Sequence, residues 1–134
     1  MSEQPDTHAK ELYDQAYEAM TQSNFEEAIR LFEESVRFVP HYRSLLHLGE
    51  CYFQLGKLVE SVVPLAAATT LNRQGIAPAL LAEVFLELGD PRKAKELVDL
   101  AVARQPDYKR AKTLRNRVDQ AVAEWNQRFG FDLY

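Results

Sequence analysis

Cysteine occurs once in these 134 residues, at Cys51, so no internal disulfide framework is available and a reducing compartment fits. Glycine and proline are sparse, at 5 and 6 residues. Collagen-like and low-complexity chains are thereby excluded, and 46% hydrophobic with 27% charged residues fits a packed domain. No apolar run approaches the ~20 residues that cross a bilayer, so membrane insertion is not expected. The opening "MSEQPDTHAKEL" lacks the basic-then-apolar layout of a signal peptide, and a cytoplasmic location is the expectation. A cationic excess is missing too. The net charge of −4 argues against generic nucleic-acid binding. The basic stretch "RQPDYKRAKTLRNR", Arg104 to Arg117, reads as a solvated helix face.

Catalytic groupings are equally absent. His47 and Cys51 stand four apart, within reach of each other on one helix, but no Gly-rich elbow or oxyanion element accompanies them. They read as a partly exposed histidine beside a buried thiol. Three histidines (His8, His41, His47) and one cysteine lack a second ligand cluster, so no metal is expected. No phosphate-cradling G-x-x-x-x-G-K loop occurs, and the carboxylates follow helical surfaces without marking an acid/base pair. The expectation is a chain that is no enzyme and carries no cofactor.

What the chain does contain is a repeat. "LGECYFQLGK" from Leu48 returns 33 residues later as "LAEVFLELGD" from Leu81. "AIRLFEESVRFVPHY" from Ala28 returns at twice that interval as "AKELVDLAVARQPDY" from Ala94. A fixed period of this size marks a solenoid, whose units bury their apolar faces on one another. Within a unit the spacing is helical: Leu45, Leu48, Tyr52 and Leu55 form one stripe, Gly56 breaks it, and Leu58, Val62, Leu65, Ala68 and Leu71 form the next. Small residues (Ala16, Gly49, Ala82 and Ala28, Ser61, Ala94) fall where two helices must approach closely. Asn24 and Asp90 stand at N-cap positions, with Pro91 at the first helical residue. Pro64, inside a second helix, predicts a local kink.

These positions resemble the tetratricopeptide-repeat family, whose pattern pairs large and small residues in a first helix with alanines, an aromatic and a closing proline in a second. The first copy supplies Leu12, Ala16, Ala28, Phe32, Ser35 and Pro40. The second supplies Leu45, Leu48, Gly49, Tyr52, Ser61, Leu65 and Ala68, and the third Leu81, Ala82, Phe85, Ala94, Val98, Ala101 and Pro106. Gln15, Ala19 and Pro78 depart from the pattern. The resemblance implies an all-α solenoid of three antiparallel helical hairpins in a right-handed superhelix, closed by a long capping helix. The boundaries are a flexible N-terminus over 1–8, repeats over 9–41, 42–74 and 75–107, a cap over 108–129 and an apolar tail over 130–134. Seven helices are expected.

The resemblance also implies a peptide-binding groove lined by the first helices. Carried onto this sequence, its residues are Lys10, Tyr13, Tyr17, Met20 and Thr21; Arg43, Leu46, Glu50, Phe53 and Gln54; and Ile76, Ala79, Glu83, Leu86 and Glu87. Apolar and aromatic residues collected there suggest a binding surface. Some family members clamp the C-terminal carboxylate of heat-shock chaperones with basic residues and asparagines. Glu50 and Glu83 would oppose that here, and the rim residues Lys10 and Arg43 do not restore the clamp. The leading expectation is a non-enzymatic adaptor or chaperone that binds a protein segment, apolar with basic residues. The alternative is a structural subunit that self-associates, as a homodimer or within a larger complex, through Val122, Trp125, Phe129, Phe131, Leu133 and Tyr134.

Overall fold

The computed structural model describes residues 4–130 and divides into two compact units, residues 1–72 and 73–134. All the regular structure of the described residues is α-helical. The first unit holds α1 (Pro5–Thr21), α2 (Phe25–Phe38), α3 (Tyr42–Gln54) and α4 (Leu58–Leu71). The second holds α5 (Ile76–Glu87), α6 (Pro91–Arg104) and α7 (Lys109–Phe129). In the first unit each helix packs on the next in sequence, and α1 also touches α3. In the second, α5 and α6 form a hairpin and α7 lies against both.

The hairpins share one turn. Ser23, Gly56 and Gly89, spaced by 33, all take left-handed backbone at φ 60°, 74° and 83°. The following amide reaches back five residues in each: Asn24 to the carbonyl of Ala19, Lys57 to Tyr52 and Asp90 to Phe85, all at 2.9 Å. This is the Schellman closure of a helix end, and glycine fits because it adopts positive φ without a Cβ penalty. Ser23 adopts it with one.

Caps then start the second helices. The side chain of Asn24 accepts from the Glu27 amide at 3.5 Å, and that of Asp90 from the Lys93 amide at 3.1 Å, with Pro91 in the first turn. Asp90→Ala should lower stability by about 1 kcal/mol, read as an earlier urea midpoint at unchanged slope. An unchanged midpoint would show that the cap is idle.

The core of the first unit gathers Leu12, Ala16, Ala28, Leu31, Phe32, Leu48 and Cys51. Gly49 lets α3 and α4 close up, since a Cβ there would lie 2.4 Å from Cγ of the buried Leu65. Ser35 is buried because its hydroxyl donates to the Ala9 carbonyl at 2.7 Å, tying α2 to α1. In the second unit Ala79, Ala101 and Ala111 let α5, α6 and α7 meet closely.

Two expectations are corrected. Residues 5–8 belong to α1 rather than to a flexible arm: Pro5 opens the helix, and the His8 ring meets Phe38 edge-on at 4.6 Å. Val122, expected on the surface, is buried at 8% exposure in a helix that lies against both α6 and α5. α4 spans Leu58–Leu71 with the buried Pro64 inside it. Glu60, whose carbonyl loses its partner there, lies exposed to solvent.

Candidate functional site

In the first unit α1 and α3 meet through aromatic side chains. Tyr13 and Tyr17, one turn apart on α1, stack at 6.1 Å between ring centroids. His47 on α3 fits against both, at 6.1 Å and 5.5 Å, and against the buried Phe32 ring at 5.9 Å. Phe32 in turn meets Tyr13 edge-on at 5.8 Å. The outer member is Tyr17, 44% exposed, while Tyr13 and Met20 are half-buried against the core. One imidazole thus joins the surface rings to the interior. The sequence pairing of His47 with Cys51 missed that role, although its placement one residue before Leu48 in the core stripe turns it toward α1.

Burial raises the Tyr13 phenol above its ordinary value, and the Arg43 guanidinium that bonds it partly offsets the shift. Tyr13 is therefore neutral near pH 7 and serves as a polar anchor for Arg43. Above it a cavity of about 570 Å³ opens among Asp6, Lys10, Tyr13, Asp14, His41 and Arg43. Lys10 is bound to Asp14 at 2.9 Å, and the His41 Nδ1 accepts from the Arg43 amide at 3.2 Å. Further down, Glu50 Oε1 stands 3.5 Å from the His47 Nδ1, which makes no hydrogen bond. Cys51 behind it is buried, and desolvation holds its thiol up at about 12. It is inert filling of the core and no nucleophile.

The remaining groove residues divide sharply. Arg43 is exposed, Glu50 is half-buried beside His47, and Phe53 is half-buried. Leu46, expected on the surface, is buried at 6% exposure. In the second unit Ile76 and Leu86 are half-buried. Glu83 there does not present a free negative charge: Arg110 binds it at 2.7 Å and Arg117 stands at 4.0 Å, both from α7. That pairing corrects the expected repulsion, and repeat positions could not reveal it because it joins two helices of different kinds.

At the end of α7, Trp125 is half-buried and packs on Phe129 at 4.4 Å, and Phe129 is 47% exposed. Phe131, Leu133 and Tyr134 lie outside the described residues. Sequence reasoning placed α4 but missed its exposed side, where Val59 and Val63 are 68% and 75% exposed. The signal was the absence of any charge between Glu60 and Arg73. Among the described residues no group of side chains could hold a metal ion, and no helix is long and apolar enough to cross a membrane.

Residues 13–75 match the tetratricopeptide-repeat family model, and solved tetratricopeptide domains are similar to the chain in fold. Residues 13–75 belong to the tetratricopeptide-repeat family, and the chain has the tetratricopeptide fold. It is similar to the first such domain of Spaghetti (RPAP3), solved with the HSP90 peptide SRMEEVD, at 19% identity and a TM-score of 0.84 over 88% of this chain and 95% of that one. The Sgt2 domain of Aspergillus fumigatus gives 17% and 0.82, over 89% of this chain and 82% of that one. The Yersinia enterocolitica type III secretion chaperone SycD, solved with a peptide of the translocator YopD, gives 20% and 0.74 over 89% and 92%. No curated protein matches the chain in sequence. Within the family frame, Tyr13, Tyr17 and Glu50 stand on the first helices of their repeats, and His47 joins them.

Proposed function

We propose that this chain is a non-enzymatic interaction module, an adaptor or chaperone of the cytoplasm, that holds a peptide segment of another protein on the face where α1 and α3 meet. The observation that carries the reading is the exposed Tyr17 ring, supported from below by Tyr13 and His47. A large aromatic held rigid and partly open to solvent is the kind of anchor on which binding energy concentrates. Two of the similar domains carry peptides in their solved structures, which supports the same use here.

The face is not arranged as a clamp for an acidic peptide end, because Lys10 is paired with Asp14 and the Glu50 carboxylate stands on the same face. A second reading, self-association through the end of α7, draws on the exposed Phe129 beside Trp125.

Replacing Tyr17 and Phe53 together with alanine should leave the helical content nearly intact and weaken partner capture by about 1–3 kcal/mol. The measurement is affinity capture with cross-linking from native lysate, comparing wild type with the double variant. Cross-links should fall on α1 and α3. Cross-links confined to the end of α7 would favour self-association instead, and melting of the double variant would make the two rings core.

A further inference from the structure

Among the described residues of the first unit, the α1–α3 face contains a carboxylate with no lysine or arginine paired to it. Glu50 has a side chain only 35% exposed, and within the first unit its ionisable neighbour is the His47 imidazole, with Nδ1 3.5 Å from Oε1. Of the other charges nearby, Lys10 is paired with Asp14, and Arg43 is held by a hydrogen bond to the Tyr13 phenol. Arg43 is also seven residues earlier on α3, a displacement of ~10 Å along the axis. Glu50 therefore presents a half-desolvated negative charge beside aromatic rings.

Those rings set the other wall. Tyr17 stacks on Tyr13 and meets His47 at 5.5 Å, and His47 in turn borders Glu50, so the exposed Tyr17 ring and the carboxylate are separated by one imidazole. A cation over such a ring is attracted by its quadrupole, and more strongly when partly desolvated. The carboxylate adds direct charge pairing at the same spot.

We infer that Tyr17, His47 and Glu50 form a subsite for a cationic side chain, lysine or arginine, of a bound peptide. The inference rests on the proposal that this face holds peptides and specifies which ones. Charge complementarity decides the occupant. An acidic side chain would be repelled by Glu50, and an apolar one would bury that carboxylate without a partner, which is costly. The stem of a lysine or arginine suits the approach to the subsite, since Met20 and Phe53, each one turn further along its helix, are half-buried and apolar.

The test uses the intact chain and two pools of acetylated, amidated heptapeptides. Flanking positions are drawn from alanine, leucine and phenylalanine, and the central residue is arginine in one pool and its neutral isostere citrulline in the other. Binding is read from the NMR signals of the Tyr17 and His47 rings. The arginine pool should bind on the order of fivefold to tenfold tighter, combining a ring contact with a partly exposed ion pair. In Glu50→Gln the preference should shrink to about twofold, because only the ring contact is left. Glu50 is partly exposed, so this variant keeps the fold, and its circular dichroism provides the check. Equal binding of both pools with shifts at Tyr17 and His47 would overturn the cation subsite while leaving the peptide face standing. An arginine preference that survives Glu50→Gln undiminished would also overturn it. Ring signals that neither pool moves would overturn the peptide face and the subsite together.

Discussion

Phe32→Ala should cost about 3–5 kcal/mol of stability, the usual range for truncating a buried aromatic. The ring is fully buried, and its cluster joins α1 through Leu12 and Ala16 to α3 through Leu48 and Cys51. Removing it empties a position that touches both the core of the first hairpin and the surface platform. A domain with ~5–15 kcal/mol in hand loses a large part of its margin by this change. Urea unfolding with helicity as the probe measures the effect, and Phe32→Leu, which keeps most of the volume, should cost under ~1.5 kcal/mol. A second consequence is specific to the site. Tyr13 and His47 rest on this ring at 5.8 and 5.9 Å, so at temperatures where the alanine variant is still folded, their NMR signals should broaden. An alanine variant within about 1 kcal/mol of wild type would show that the ring is not packed.

Gly49→Val is the second large effect expected. Glycine in the middle of a helix is unfavourable by about 1 kcal/mol relative to alanine, so a side chain added in open space would stabilise α3. Here the space is closed. The first added carbon would meet Leu65 Cγ at 2.4 Å and Cδ2 at 2.5 Å, and Leu65 is itself fully buried with nowhere to swing. Overpacking of this kind costs ~1–3 kcal/mol or more, and valine adds two methyls beyond the first clash. Gly49→Ala should also lose stability, by a smaller amount. The decisive measurement is a cycle of Gly49→Ala with Leu65→Ala. Shortening Leu65 alone should cost about 2–5 kcal/mol, yet it opens the room that the methyl introduced by Gly49→Ala would need. The pair should therefore be less damaging than the sum of its parts by ~0.5–3 kcal/mol. Strict additivity would mean that the spacing of α3 and α4 is not set by these two residues.

Much of this architecture could be read from the chain because its signals are local and recur. The left-handed turn glycines, the capping Asn24 and Asp90, and the small residue at Gly49 each act within one hairpin, and a 33-residue period presents them more than once. The site was legible in a different measure. Repeat position correctly put Tyr17 on the surface, but it could not say which neighbour covers Leu46. It also gave Glu83 a free charge that Arg110, 27 residues away on a helix outside the repeat, neutralises. His47 escaped notice for a related reason. Its company of Tyr13, Tyr17 and Phe32 comes from two other helices, and nothing in its own local sequence announces it. Periodicity reports what each helix offers, whereas packing across helices decides what is taken up.

The shared turn has a kinetic side. Each hairpin closes through bonds spanning five residues, and within each unit the helices touch chiefly their neighbours in sequence. Little loop entropy is surrendered before such contacts reward the chain, and topologies of this sort fold in microseconds to milliseconds. Domains also fold as they are synthesised, at roughly 5–20 residues per second, which is far slower than closure of a local hairpin. The first hairpin can thus form while the rest of the chain is still being made, and α3 then arrives to complete the aromatic platform with His47. The order of synthesis and the order of assembly coincide, so the binding face is built from its N-terminal wall outward.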